Sequence, residues 1–244
     1  MKEYKVDLHI HTCLSPCAEL EMGPLSIVRE ARRKGLDVIG ICDHNSAENV
    51  PAVARTAEKE CMCVIGGMEV ASREEVHILA LFDRNDELRA LQDIVHAHLC
   101  GTNDQKLYGE QVIVNEEEEV LGFSTKLLIG ATDITIDKLV ELIHEFGGLA
   151  IAAHVDRQAF GIIGQLGFIP EGLPLDALEL ADPCKRDTIP DTARFPFITS
   201  SDAHTLQNIG RRYTTFLMED VSVEEIRKSL SGKGGRGVRM SPDS

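Results

Sequence analysis

The chain has 244 residues, 43% hydrophobic and 27% charged, with 25 Lys and Arg against 40 Asp and Glu, a net charge of −15. That length suits one large α/β domain or two small ones, and no apolar run reaches the ~18–20 residues of a membrane span. The acidic balance argues against non-specific nucleic-acid or membrane binding, which needs Lys and Arg to displace counterions, but still permits an anionic substrate at a locally cationic metal site.

The chain opens Met1-Lys2-Glu3-Tyr4-Lys5-Val6-Asp7, without the apolar core of a signal peptide. Seven cysteines (Cys13, Cys17, Cys42, Cys61, Cys63, Cys100 and Cys184) follow no framework spacing, so reduced thiols and a cytoplasmic setting are expected. Tyr4–Leu8 reads as a strand, and Leu25, Val28 and Ala31 space a helix after Pro24. A strand at Val38–Cys42 and a helix over 47–60 follow, then strands at Val64–Ile65 and Val76–Phe82 and a helix over 86–99. Residues 101–133 interrupt this alternation with a β-hairpin, Gln111–Asn115 and Val120–Phe123 around the acidic turn Glu116–Glu119. Ile136, Leu139, Val140, Ile143 and Phe146 share one face of a helix over 134–146 that Gly147-Gly148 ends. Strands are expected at Leu149–Ala153, Ala177–Leu180, Phe197–Thr199 and Thr214–Met218, and a closing helix at Ser222, where Ser-Val-Glu-Glu has capping-box spacing. The alternation predicts one α/β domain over 1–231, and the Gly-rich basic end over 232–244 is expected to be a flexible tail.

Six of the nine histidines (His9, His11, His44, His77, His154 and His204) fall at or just beyond the ends of these strands, where α/β barrels gather their ligand sites. In Asp7-Leu8-His9-Ile10-His11-Thr12 the two imidazoles share a strand face and can meet one metal. Ser200-Ser201-Asp202-Ala203-His204 repeats that geometry with a carboxylate and an imidazole. Between them lie Asp43-His44, Gly67-Met68-Glu69, His77, and His154 after Ile151-Ala152-Ala153.

Taken in order, His9-x-His11, Asp43-His44, the Gly-x-Glu ending at Glu69, His77, Ala153-His154 and Asp202-x-His204 resemble the polymerase-and-histidinol-phosphatase (PHP) superfamily of metal-dependent phosphoesterases. The resemblance implies a distorted seven-stranded (β/α) barrel, TIM-like, holding two or three divalent metals, with the hairpin of 101–133 as an insertion able to lean over the mouth. Many members follow His-x-His-Thr with Ser-Asp-Gly, whose Asp is a ligand. Here the segment runs Ser15-Pro16-Cys17-Ala18-Glu19-Leu20-Glu21-Met22-Gly23-Pro24, and counting back from Pro24 puts Glu19 at that place, with Glu21 as competitor. Cys13 and Cys17 flank this loop; without a second thiol pair they read as ordinary thiols.

The expected ligands are therefore His9, His11, Glu19, His44, Glu69, His77, His154, Asp202 and His204, more than one ion uses. Imidazole and carboxylate without thiolate suit Zn²⁺, Mn²⁺ or Fe²⁺ better than Mg²⁺ or Ca²⁺. The implied reaction is hydrolysis of a phosphate ester (a small phosphomonoester, a nucleotide or a short oligonucleotide) by a metal-bridged hydroxide in a di- or trinuclear site. Asp43 and His204 are the residues expected to assist the chemistry, Asp43 as the orienter of an imidazole or else as a turn acid. Arg157 is the first candidate phosphate clamp, with Lys185 and Arg186 second, and the run Phe160–Gly164 either shapes a leaving-group pocket or forms a surface loop. Two other classes stay open. An amidohydrolase-type C–N hydrolase also begins with His-x-His, but no lysine sits at a plausible strand end here. A non-catalytic metal-binding regulatory module would have lost ligands, whereas all six histidines are kept.

Overall fold

The computed structural model describes residues 1–190 and 194–241. In chain order the elements are β1 (Lys2–Ile10), α1 (Pro24–Arg33), β2 (Val38–Ile41), α2 (Val50–Lys59), β3 (Cys63–Ala71), β4 (His77–Phe82) and α3 (Asn85–His98). The insertion follows as α4 (Gln105–Tyr108), β5 (Val112–Val114) and β6 (Val120–Phe123). Then come α5 (Ile136–Glu145), β7 (Leu149–Ala152), α6 (Ile162–Leu166), β8 (Ala177–Leu180), β9 (Phe197–Thr199), β10 (Thr214–Met218), α7 (Val223–Leu230) and β11 (Gly237–Met240).

Nine strands form one sheet in the order β11-β10-β1-β2-β3-β4-β7-β8-β9, and β5-β6 form a separate pair. The sheet curls until Ala203, just past β9, bridges Ile10 of β1, so the barrel nearly closes at its upper rim. The count differs from the seven strands expected, because β10 and β11 join the sheet antiparallel beyond β1. Gly237–Met240, expected as tail, form the edge strand β11, whose backbone pairs with β10; residues 242–244 of that tail lie outside the described residues. β4 is also antiparallel to its neighbours β3 and β7. The link from Ala71 to His77 is too short for the crossover a parallel partner needs, so the chain turns straight back.

Side chains on the inner strand faces fill the barrel: Val6, Leu8, Val38, Ile65, Leu79, Leu81, Leu149, Ile151, Ala177, Ile198 and Phe216. Val223, Ile226 and Leu230 of α7 join that inner cluster. The outer faces pack on helices, with Ile39, Ile41, Met68, Ile78, Ala80, Ala152 and Leu178 in one cluster with Ile27, Val53, Leu91 and Leu139. This two-sided burial produces the continuous apolar runs seen in the sequence. Gly40 is needed where strands crowd: a Cβ there would stand 2.4 Å from the Leu8 carbonyl oxygen. Among the described residues no helix is long and apolar enough to cross a membrane.

The insertion is bound to the barrel by polar contacts. Asn49 donates to the Val112 carbonyl at 3.0 Å and accepts from Val114 N–H at 3.0 Å. The Glu118 carboxylate accepts from Leu25 and Ser26 N–H at the start of α1, where those amides have no helical partner. Asn45 donates to the carbonyls of Leu128 and Gly130, both at 2.8 Å, and so brings the Leu127–Gly130 segment to the rim.

Candidate metal centre

A single cavity of about 220 Å³ at the rim is lined by Cys17, His44, Glu69, His77, Ile129, His154, Arg157, Phe160, Asp202 and His204. Larger grooves of 340 and 480 Å³ lie elsewhere and contain no histidine. His9 and His11 lie beneath this cavity, fully buried.

β1 delivers its histidines through a change of phase. Val6 and Leu8 face the interior, so strict alternation would turn His9 outward. The register against β2 shifts between Asp7 and Ile10, and this irregularity sends Ile10 to the outer layer and His9 inward. On β3, Ile65, Gly67 and Glu69 share the inward face, and on the antiparallel β4 so do Leu81, Leu79 and His77. The antiparallel turn thus brings the first residue of β4 to the same rim as the last residues of β3.

Three further rim residues, Asn45, His154 and Asp202, hold φ of 48°, 30° and 50°. This is left-handed backbone, costly for a non-glycine residue and concentrated where function demands a fixed side chain. Asp7, buried and pushed up to about 6 by desolvation, anchors the Asp202 loop by accepting from Ser201 and Gly210 N–H.

Glu69 is the hub. Its Oε1 lies 2.8 Å from His77 Nδ1 and 3.0 Å from His154 Nε2, and its Oε2 lies 3.0 Å from His44 Nδ1. Burial would raise its carboxyl, but His77, His9 and His44 outweigh that and hold it well below the usual range. His9 and His11 bring their Nε2 atoms within 3.1 Å of each other, and both reach Asp202 Oδ1, at 3.4 and 3.2 Å. Burial favours neutral imidazole at His9, yet Glu179, Asp202 and Glu69 raise it well above its ordinary value. At His44 the carboxylate of Glu69 overcomes burial and lifts the imidazole to about 10. His11, buried beside His204, is lowered well below its ordinary value.

Three trios have donor atoms within 4.8 Å of one another: His9-His11-Asp202, His11-His44-His204 and His44-Glu69-His77. They overlap through His11 and His44. His154 adjoins through Glu69 and keeps a buried Nδ1 with no hydrogen-bond partner among the described residues. Nitrogen and carboxylate donors crowded this closely fit divalent cations.

The structure brings together every expected ligand except Glu19, whose side chain is exposed and outside the cavity. Its backbone N–H donates to the His204 carbonyl at 2.9 Å, and in that tight turn Cys17, not Glu19, faces the histidines. Glu21 lines the groove beside the hairpin instead. The Cys17 thiol, which burial would raise, is lowered to about 7 by His204 and His44 beside it. Cys13 is different: it is buried near the Val112 carbonyl and pushed up to about 12 by desolvation.

Asp43 is fully buried and does not line the cavity. It accepts from Ser15 Oγ at 2.7 Å, and Ser15 Oγ in turn lies 2.8 Å from His11 Nδ1. The chain Asp43–Ser15–His11 fixes the His11 tautomer with Nε2 left for a cation. Arg157 reaches the cavity, its Nη1 2.6 Å from Asp202 Oδ2. Lys185 sits in a neighbouring cavity, 3.6 Å from Asp156, and Arg186 lies over the Phe197 ring, so neither lines the histidine cluster.

Sequence reasoning missed Glu179. It is buried on β8 and accepts from His9 Nδ1 at 3.0 Å and from His154 N–H at 3.2 Å, which orients His9 as Asp43 orients His11. The available signal was a lone acid inside the apolar strand Ala177-Leu178-Glu179-Leu180. Glu179→Gln is expected to weaken metal affinity about 10–100-fold with the fold kept, measured by competitive chelator titration; unchanged affinity would make Glu179 a packing residue only.

Comparison with known proteins defines the class. The PHP domain profile matches residues 7–171 and the PHP-associated profile matches 189–233, so the chain belongs to the PHP domain family. The Bacillus subtilis uncharacterized protein YqxK is 23% identical over 98% of this chain and 64% of its own length. The lesion-specific endonuclease PfuEndoQ of Pyrococcus furiosus superposes with a TM-score of 0.75 at 23% identity, over 97% of this chain and 58% of that one. A putative metal-dependent phosphoesterase of Bifidobacterium adolescentis gives 0.61 at 16% identity, covering 93% and 96%. The chain thus spans about three fifths of the length of YqxK and of PfuEndoQ.

Proposed function

We propose that the chain is a metal-dependent phosphoesterase that hydrolyses a small phosphate ester at a site holding two or three divalent ions. The observation that carries this reading is the overlap of three donor trios through His11 and His44, since one four- to six-coordinate ion cannot use so many donors. The ligands are His9, His11, His44, Glu69, His77, His154, Asp202 and His204. Zinc, manganese or iron fits this donor set. Such ions, when bound, neutralise phosphoryl oxygens and acidify a water.

The chain's own residues supply position and proton control. Glu179 and the Asp43–Ser15 pair hold His9 and His11 in the tautomer that presents Nε2. His204 Nδ1 lies 3.0 Å from the Asp202 carbonyl and donates to it, leaving Nε2 for a ligand role or for a proton passed to the leaving oxygen. Phe160, stacked on His77 at 4.5 Å and 41% exposed, and Ile129, 40% exposed, flank the mouth as an apolar seat for the leaving group. Arg157 stands at the same mouth, where its guanidinium can turn from Asp202 to the non-bridging oxygens of a phosphate.

Arg157→Ala is accordingly expected to leave metal content unchanged and to lower kcat/KM for phosphomonoesters roughly ten- to a thousand-fold. Wild-type kinetics in that variant would assign Arg157 to holding Asp202 alone.

A second reading, a nuclease acting on a nucleotide or DNA phosphodiester, is favoured by the flat Phe160 face, on which a base can stack. The lesion-specific endonuclease shares this fold. The charge of −15 weighs against a long DNA duplex. Metal-loaded protein should be offered aryl phosphates, nucleoside monophosphates, short oligonucleotides, a duplex with an abasic site, and amides. Small phosphate esters are expected to be cleaved only with metal; cleavage of the duplex alone would select the nuclease, and C–N cleavage without phosphate release an amidohydrolase.

A further inference from the structure

We propose that the phosphate ester cleaved here carries a planar ring in its leaving group, and that Phe160 selects it by stacking. The inference rests on the phosphoesterase reading above and names its substrate class: an aryl-type ester or a nucleotide, which share the ring. Ten residues line the rim cavity, and among them only Phe160 and Ile129 present a purely hydrocarbon side chain. Both are exposed, whereas the other lining groups are imidazoles, carboxylates, a thiol and a guanidinium. Hydrocarbon binds neither a metal ion nor a phosphoryl oxygen, so this wall fits the uncharged part of the substrate. Neither side chain offers a hydrogen bond, so a polyol seated there would lose water without replacement.

The ring is held ready for stacking. One face of Phe160 lies on His77, with ring centroids 4.5 Å apart and planes 10° from parallel. His77 is itself fixed by Glu69, 2.8 Å from its Nδ1, so the plane beneath Phe160 is set. The Phe160 carbonyl accepts from His77 N–H at 3.0 Å, which ties the backbone as well as the ring to β4. Phe160 has a φ of 62°, left-handed backbone that is costly for a bulky residue. Gly161 lets this turn close, because a Cβ there would stand 2.5 Å from the Arg157 carbonyl oxygen. One tight turn thus presents both Arg157 and Phe160 to the cavity, a cation for phosphoryl oxygens and a flat face for a ring. Ile129 reaches the same cavity because Asn45 donates to the carbonyls on either side of it, those of Leu128 and Gly130.

The test offers the metal-loaded full chain two pairs of esters, each pair with leaving alcohols of similar acidity that differ in the ring. They are benzyl against butyl phosphate, and adenosine monophosphate against ribose phosphate. In at least one pair kcat/KM should favour the ring by about 5- to 100-fold, the range of one stacking contact. A preference in the first pair marks an aryl-type ester, and in the second a nucleotide. Phe160→Tyr should keep the preference and Phe160→Leu should bring it close to one. Phe168→Leu, at an exposed ring outside the cavity, should keep it. Should Phe160→Leu fail to fold, Phe160→Met makes the same comparison with a flexible apolar side chain. Wild-type ratios near one in both pairs overturn the proposal, as does a preference unchanged in Phe160→Leu, which would leave Phe160 only a cover for His77. Phosphate release in either case leaves the phosphoesterase reading standing. Release from none of the four esters by protein that holds its metal overturns that reading and this one with it.

Discussion

Glu69→Gln is expected to empty the metal centre and to lower phosphate-ester turnover by more than about 100-fold, beyond the range seen when only a residue behind a ligand is changed. The substitution keeps the shape of the side chain and removes one charge. That charge faces His77, His154 and His44 within 3.0 Å and His9 and His11 at 3.5 Å. Without it His9 and His44 lose an anion that raises their imidazoles, and any cations lose the carboxylate nearest the middle of the cluster. In the metal-free protein the same change should destabilise the fold by about 3–5 kcal/mol, the cost of leaving a buried charge without its partner. Elemental analysis, steady-state kinetics and denaturant melts of the metal-free variant check the three statements separately. A variant that keeps both its ions and its turnover would remove Glu69 from the ligand set.

Removing metal from the wild-type chain should lower its melting temperature without unfolding it. At free metal about 100 times the Kd, binding of each ion to the native state contributes about 2.7 kcal/mol. For a domain of this size each kcal/mol moves the Tm by roughly 2–4 °C, so chelation should cost about 5–10 °C for each ion removed. The barrel core does not depend on the rim: Leu8, Ile39, Ile41, Met68, Leu79 and Phe216 are all buried away from the donors. Within the site the carboxylates and imidazoles also satisfy one another when no ion is present, as the Glu69 contacts show. Differential scanning calorimetry with and without chelator gives the shift. Complete unfolding on chelation would make the centre a structural staple, and no shift would mean that no ion was bound.

The fold was legible wherever the apolar pattern was continuous. β8, β9 and β10 fall at the residues expected for them, and Ser222 caps α7 by accepting from Glu225 N–H. The rim histidines were legible because histidine, unlike leucine, has no packing reason to recur at strand ends. What escaped the sequence depends on contacts between distant segments. A phase shift inside β1 turns on pairing with β2, and no local pattern around Leu8-His9 encodes it. The direction of β4 follows from the shortness of the Ser72–Val76 link, a cue present in the sequence but masked by the expectation of regular βα alternation. β11 lies in a Gly-rich segment of weak strand propensity and is a strand because β10 offers it an open edge. At Glu19, counting back from Pro24 placed the acid by sequence position alone. The turns at Thr12–Ser15 and Ser15–Ala18 fold the loop back and bring Cys17 to the cavity.

The measurement that bears most directly on this account is metal content and phosphate release on the same preparation. Apoprotein reconstituted with zinc, manganese or iron and freed of excess ion should hold two or three ions per chain. Release of phosphate from a model ester should rise in step with occupancy and vanish on chelation. One ion or fewer at full reconstitution, or phosphate release indifferent to occupancy, would contradict the multinuclear phosphoesterase proposed here.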